Sequence, residues 1–372
     1  MPPRNILLKP ASGDCNLRCR YCFYHDEAAN RACRSYGRMT LETLEAVISK
    51  SMASAEGQCT FGFQGGEPTL AGLDFFRHVV ALEQAYSRPG LRVYNALQTN
   101  GTLLDESWAA FLQENSFLVG VSLDGHQSLH DLYRKDAAGN GTFDRVMAGL
   151  RLLKDYQVPV NILTVVTAQT ARNAREMSSF FRHMGFSYQQ HIPCLDPLGL
   201  PRGKQPYSLT PERYARFLIS TFDFWFRERT EGRFLYNRYF DNLLGICLGR
   251  QPEACGMLGQ CGIQYAVEAD GGVYPCDFYM LDGYRLGNFR DNTMEELDRA
   301  REALGFVEKS RSIAPACRKC RWFSLCRGGC RRDRPETAAG ELLENVYCPA
   351  YQAFFAHAAP RLQALARAMA GR

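Results

Sequence analysis

Three cysteines stand at C-x3-C-x2-C spacing in Cys15-Asn16-Leu17-Arg18-Cys19-Arg20-Tyr21-Cys22. Three thiolates in so short a loop can hold three irons of a four-iron cluster and leave the fourth iron without a protein ligand. An open iron can chelate a small molecule and pass it an electron, whereas a structural metal site closes itself with a fourth ligand. The rival reading is a zinc loop that borrows a distant His or Cys. His25 is the nearest candidate and reads as a surface side chain.

A second group lies far downstream. Cys255, Cys261 and Cys276 precede Cys317, Cys320, Cys326 and Cys330, and Cys348 follows. Eight thiolates divide into two sets of four, full coordination for two further four-iron clusters with no iron left for substrate. Such sites suit electron transfer or bracing. On ligand type alone, two zinc sites remain the alternative.

The chain has 372 residues and fifteen cysteines. The four outside these groups, Cys33, Cys59, Cys194 and Cys247, read as small buried hydrophobes. Cytosolic thiols stay reduced, so a dense cysteine set points to metal ligation before disulfides. The first ten residues lack the pattern of a signal peptide, and no apolar run approaches the roughly 20 residues that span a bilayer. A cytoplasmic protein without membrane attachment is expected. Net charge is +5, with 46% hydrophobic and 22% charged residues. That is an ordinary globular composition with no clustered basic footprint for nucleic acid.

The elements that must position these cysteines are legible as alternation. Apolar runs at 5–9, 59–64, 92–98, 119–123, 159–166 and 187–192 read as strands. Helical patterns at 41–54, 74–86, 105–115, 143–156 and 174–184 separate them, and another at 211–229 starts with Thr210 as cap and Pro211 at its first position. Six strands alternating with helices argue for an α/β fold with a parallel sheet, doubly wound or barrel-like. Chemistry in such folds sits at the carboxyl ends of the strands. Gln64-Gly65-Gly66-Glu67-Pro68, Thr99-Asn100-Gly101 and Ser122-Leu123-Asp124-Gly125 fall there. After about Tyr236 the alternation fades, and 350–369 reads as a closing helix.

C-x3-C-x2-C with an aromatic before the last cysteine, together with Gly65-Gly66-Glu67-Pro68, resembles the radical S-adenosylmethionine enzymes. That resemblance covers about the first 235 residues. It implies a partial (β/α)6 barrel in which S-adenosylmethionine chelates the open iron and is split to a 5′-deoxyadenosyl radical. Cys261-x9-Gly271-x4-Cys276, then C-x2-C-x5-C-x3-C and a final cysteine, is similar to the SPASM domain of radical enzymes that modify peptides. With Cys255 as eighth ligand the whole chain resembles the anaerobic sulfatase-maturating enzymes. The implied domains are 1–235, 236–349 and a C-terminal helix in 350–372. The implied pairing puts Cys255, Cys261, Cys276 and Cys330 on one cluster and Cys317, Cys320, Cys326 and Cys348 on the other, three [4Fe-4S] clusters in all.

The same resemblance names Asp277, directly after Cys276, as proton acceptor; otherwise it is a turn Asp bonding a nearby backbone N–H. Gly66 lacks a Cβ, so its backbone can approach S-adenosylmethionine, or it is merely a tight turn. Ser122 can bond a ribose or carboxylate, or is a strand-end hydroxyl. Arg134 offers a forked donor for the methionine carboxylate, or is solvated beside Lys135. Tyr21 and Leu195 match contacts to the adenosine portion, against plain packing. Arg318, Lys319, Arg321, Arg327, Arg331, Arg332 and Arg334 crowd the cysteine loops, either as a solvated face or to dock an acidic ferredoxin- or flavodoxin-like donor.

The resemblance implies oxidation of one Cys or Ser of a sulfatase, within a Cys/Ser-x-Pro-x-Arg segment, to Cα-formylglycine. The sequence does not choose between Cys and Ser. The alternatives are another peptide maturase that forms thioether or carbon–carbon links, and a non-catalytic zinc or iron–sulfur protein that binds partners.

Overall fold

The computed structural model describes residues 2–371. Six strands, β1 (Arg4–Leu8), β2 (Gln58–Phe63), β3 (Arg92–Thr99), β4 (Leu118–Ser122), β5 (Val160–Val166) and β6 (Tyr188–Pro193), pair in sequence order, all parallel. They match the six expected runs to within one or two residues. β1 and β6 do not pair with each other. β6 takes β7 (Tyr236–Asn237) on its far side, and β1 takes β8 (Tyr265–Val267). The result is the open, partial (β/α)6 barrel.

Helices Leu41–Ala53, Leu73–Ala85, Glu106–Glu114, Phe143–Asp155, Ala174–His183 and Pro211–Thr230 follow the strands in turn. β2 shows why they cover one face of the sheet: Cys59, Phe61 and Phe63 alternate as fully buried positions against half-buried Gln58, Thr60 and Gly62. Phe63 meets Phe76 at 5.1 Å between ring centroids, and Phe76 meets Trp108 at the same distance. The other face carries Leu7, Gly62, Gly120, Asn161 and Gln190 and borders an open hollow of about 1320 Å³ counting its mouth. Small residues keep that space open; a Cβ on Gly120 would lie 2.8 Å from Leu163.

Capping sets the helix starts. Thr210 caps Pro211–Thr230 with Pro211 in its first turn, as expected. Asp105 accepts a hydrogen bond from Trp108 N at 2.9 Å and starts Glu106–Glu114, which buries Trp108, Phe111 and Leu112. Asp105→Ala is expected to cost about 1 kcal/mol, read as a lower urea midpoint with unchanged slope.

The cysteine-rich part is not a separate layer. β8, β9 (Gly272–Tyr274) and β10 (Gly287–Asn288) extend the barrel sheet beyond β1, antiparallel among themselves. These strands hold two or three residues each, too few for a period to register, and they were not expected. Glu268, directly after β8, sits fully buried 3.6 Å from Lys9 Nζ, directly after β1, and pairs with buried Arg31. The closing helix runs Cys348–Ala370 and packs on Pro211–Thr230, with Phe354 against Phe222 and Tyr351 against Tyr214. Among the described residues no helix is long and apolar enough to cross a membrane.

Candidate active site

The loop after β1 that carries Cys15, Cys19 and Cys22 is strapped from two sides. Gly66 N and Glu67 N donate to the carbonyls of Ser12 and Asp14 at 3.0 and 2.8 Å, and Arg18 N and Arg20 N donate to those of Lys135 and Tyr133 at 2.7 and 3.2 Å. A Cβ on Gly66 would lie 1.9 Å from the Asp14 carbonyl oxygen. Close packing of the cysteine loop therefore demands glycine here. Gly65 beside it holds φ at 124°, a conformation that other residues adopt only with strain.

Glu67, in the Gly65-Gly66-Glu67-Pro68 motif, is a functional residue that motif matching alone does not explain. Its buried carboxylate accepts four hydrogen bonds: Thr69 N at 3.1 Å, Thr69 Oγ1 and Thr99 Oγ1 at 2.7 Å, and Asn100 N at 2.7 Å. It thereby ties the loops after β2 and β3 together. Asn100 then reaches Asn16 Oδ1 at 2.8 Å and Cys15 Sγ at 3.8 Å. A carboxylate between an apolar strand and a proline was the available signal. Thr99→Val removes one bond to this buried charge, and a loss of about 1.5–3 kcal/mol in unfolding free energy is expected by urea titration.

At the carboxyl ends of the strands lies a cleft of about 890 Å³ counting its open mouth, lined by Cys15, Cys19 and Cys22 together with Tyr21, Gly66, Ser122, Arg134 and Leu195. The structure thus brings the three cysteines and all five singled-out contacts into one wall. Ser122 closes β4. Arg134 is buried; its Nε donates to Asp124 at 3.2 Å, and Nη1 sits 3.9 Å from Cys19 Sγ. The Tyr21 hydroxyl donates to the same Asp124 carboxylate, and its ring lies 5.7 Å from the guanidinium. Arg134 is thus a fixed cation in the wall, and Tyr21 also packs edge-on against Tyr133 and Tyr207. Leu195 follows β6 in a loop held by the Tyr347 hydroxyl, which donates to the Cys194 carbonyl at 3.1 Å.

The donor set fits an iron–sulfur group. All fifteen cysteines are free. Burial pushes the Cys15 thiol up to about 11 and Cys19 up to about 12, where Arg134 offsets only part of the rise. Metal charge is what holds such thiols as thiolates. Leu17 N points at Cys15 Sγ from 3.3 Å, the amide-to-sulfur bonding that tunes these clusters. His25 is exposed and offers no fourth ligand to this wall.

Asp277 does not line the cleft but lies at its edge. Its Oδ2 accepts from Gln64 Nε2 at 2.8 Å and from the Tyr24 hydroxyl at 3.3 Å, both cleft-lining residues. Burial raises its carboxyl above the ordinary value, and the bonds from Cys276, Gln64 and Tyr24 pull it partly back. Its partners are barrel side chains more than 200 residues away in sequence, in addition to the neighbouring Cys276 thiol at 3.6 Å.

The eight downstream cysteines fall into two gatherings. Cys317, Cys320, Cys326 and Cys348 line one cleft with Trp322, Tyr351 and Phe355. Cys330 lies within electrostatic reach of Cys255 and Cys261, and Cys276 within that of Cys330 and Cys255. The basic group divides too. Arg331 is buried and donates to the Phe306 carbonyl at 2.9 Å; Arg334 is buried and donates to Leu343 and Ser312 carbonyls at 3.0 and 2.6 Å. These two staple loops and belong to no docking face. Of the stray cysteines, Cys59 and Cys194 are buried, whereas Cys33 and Cys247 are half-exposed.

Fold and site together define a radical S-adenosylmethionine enzyme with an added iron–sulfur domain: the Radical SAM superfamily model matches residues 10–181, and the iron–sulfur cluster-binding SPASM model matches 258–321. The chain is 49% identical to a cysteine-type anaerobic sulfatase-maturating enzyme of Clostridium perfringens, over 97% of this chain and 98% of that protein. It is 43% identical to the cysteine-type enzyme of Clostridium novyi over the full length of both, and 34% identical to a serine-type enzyme of Bacteroides thetaiotaomicron over 96% and 90%. The solved structure of native anSMEcpe with bound AdoMet and Cp18Cys peptide superposes with a TM-score of 0.94 at 47% identity, over 99% of this chain and 100% of that one. The chain belongs to the anaerobic sulfatase-maturating enzymes and sits with their cysteine type.

Proposed function

We propose that the protein oxidises one cysteine side chain of a sulfatase, within a Cys-x-Pro-x-Arg segment, to Cα-formylglycine. The observation that carries this is Asp277, held by Gln64 and Tyr24 at the edge of the cleft that Cys15, Cys19 and Cys22 line. The higher identity to cysteine-type than to serine-type relatives supports cysteine as substrate. The solved relative's bound AdoMet and peptide support the same pair of ligands here.

Cys15, Cys19 and Cys22 would hold a four-iron cluster which, with S-adenosylmethionine bound, would supply a 5′-deoxyadenosyl radical. Arg134, fixed by Asp124, meets the methionine carboxylate, Ser122 bonds the ribose or carboxylate, and Tyr21 and Leu195 pack on the adenosine. Gly66 completes the wall with its backbone. The hollow on the open face of the sheet shares Gln64, Gln98 and Leu163 with the cleft, and a peptide entering there brings its cysteine beside Asp277. Once hydrogen has left Cβ, Asp277 takes the thiol proton as general base. Cys255, Cys261, Cys276 and Cys330, and likewise Cys317, Cys320, Cys326 and Cys348, would hold iron–sulfur clusters able to take up the remaining electron. The resulting thioaldehyde hydrolyses to the aldehyde.

The barrel, 1–235, thus holds the cosubstrate, and 236–349 holds the electron exit. Fifteen reduced cysteines accord with a cytoplasmic setting. Anaerobic incubation of the iron-loaded protein with S-adenosylmethionine, a reductant and a cysteine peptide is expected to yield 5′-deoxyadenosine and a peptide lighter by about 18 mass units, as thiol-to-aldehyde chemistry requires. Deoxyadenosine with an unchanged peptide would overturn the assignment.

A further inference from the structure

We propose that Arg202 is a positioning residue for the cosubstrate: it pins segment 194–208, which brings Leu195 into the wall of the cleft, to the turn that follows Cys330. The proposal rests on the function proposed above and deepens it, naming a group outside the cleft on which S-adenosylmethionine binding depends.

The segment lies between β6, which ends at Pro193, and the helix that starts at Pro211. Cys194 and Leu195 line the cleft. Pro197, Pro201 and Pro206 lack backbone donors, and Gly199 and Gly203 hold φ at 73° and 80°. With neither helix nor strand of its own, the segment keeps its course through contacts made by side chains. Tyr347 holds its first residue at the Cys194 carbonyl. Asp196 folds it on itself, accepting from Gly203 N at 2.9 Å and from the Ser208 hydroxyl. Leu198 N donates to Asp26 at 2.8 Å, on the helix that follows Cys22.

Arg202 supplies the remaining hold. Its Nη2 donates to the Arg332 carbonyl at 2.8 Å, and its Nη1 lies 3.4 Å from Asp333 Oδ1. Among the described residues, no other member of 199–205 hydrogen-bonds outside the segment. The Asp333 side chain is buried, and this is the one ion pair it makes among the described residues. Asp333 N in turn donates to the Cys330 carbonyl at 3.1 Å. The forked guanidinium thus engages a carbonyl and a carboxylate of one turn, which a single ammonium does not reproduce. A segment freed from that turn must be ordered each time the cosubstrate binds. Affinity then falls by the fraction of molecules in which Leu195 is in place.

The test is anaerobic titration of the unreduced, iron-loaded enzyme with S-adenosylmethionine. Arg202→Ala is expected to weaken Kd about tenfold, the factor that follows when the competent segment falls to about a tenth of the population. Arg202→Lys keeps a charge beside Asp333 but loses the fork, and is expected to recover part of that loss. In turnover, KM for S-adenosylmethionine should rise by more than kcat falls, a split that general loss of fold does not produce. Chymotrypsin cleavage at exposed Leu200 should be faster in Arg202→Ala, and added S-adenosylmethionine should slow it. If Arg202→Ala lowers iron content or soluble yield, the double variant Arg202→Ala with Asp333→Asn, which removes the unpaired buried charge as well, takes its place with the same expected Kd. Variants that bind S-adenosylmethionine as tightly as wild type overturn the proposal alone. A wild type that binds none overturns the functional reading on which it rests.

Discussion

Asp277→Asn is expected to lower formylglycine formation by about 100- to 10,000-fold, the span that a positioned general base contributes, while 5′-deoxyadenosine is still released. The side chain keeps its size and can still accept from Gln64 and Tyr24, so the cleft wall is preserved. What is lost is the group that takes the thiol proton. Hydrogen abstraction precedes that transfer, so cosubstrate cleavage is spared and the two products uncouple. Chromatography of deoxyadenosine and mass spectrometry of the peptide, from one reaction mixture, read both. An equal fall in both products would place Asp277 in holding the cleft rather than in proton transfer.

Glu268→Ala is expected to cost about 3–5 kcal/mol of stability, because it leaves buried charge unpaired. Lys9 and Arg31 both rely on this carboxylate, and all three side chains are buried at the seam where β8 joins β1. Burial alone pushes the Glu268 carboxyl up, but Lys9 and Arg31 outweigh it and hold it below its ordinary value of 4.5. A carboxyl with a depressed folded value contributes stability that is present above the unfolded value and lost as pH falls through the folded one. Wild type should therefore lose stability on acidification below about pH 4.5, and Glu268→Ala should lose less over that window, having started lower. Urea midpoints from pH 7 to pH 3 check both. Equal acid sensitivity in the two proteins would contradict the pairing.

Features with local causes were legible in the sequence. The three-cysteine loop, the β2 run through Phe61 and Phe63, and the Thr210–Pro211 start all depend on neighbours within a few residues, so spacing exposes them. Features made by distant chain segments were hidden. β8 is three residues long and finds β1 some 260 positions away; no periodicity announces such a partner. The close approach of the Asp14 carbonyl in the Cβ direction of Gly66 joins two loops that the sequence keeps apart. Glu67 gathers donors from two loops, which only the fold brings together. Arg331 and Arg334 read as surface charges because an arginine bound to carbonyls and one in water share the same letter. The two gatherings of downstream cysteines interleave along the chain, and their order alone does not sort them.

Placing deuterium on both Cβ positions of the target cysteine tests the central claim most directly. Under anaerobic turnover with S-adenosylmethionine, one deuterium should appear in each 5′-deoxyadenosine and one should remain on the aldehyde carbon of the product peptide. Deoxyadenosine that stays unlabelled while the peptide is converted would mean that the radical never touches Cβ, and that Cys15, Cys19 and Cys22 serve some other chemistry.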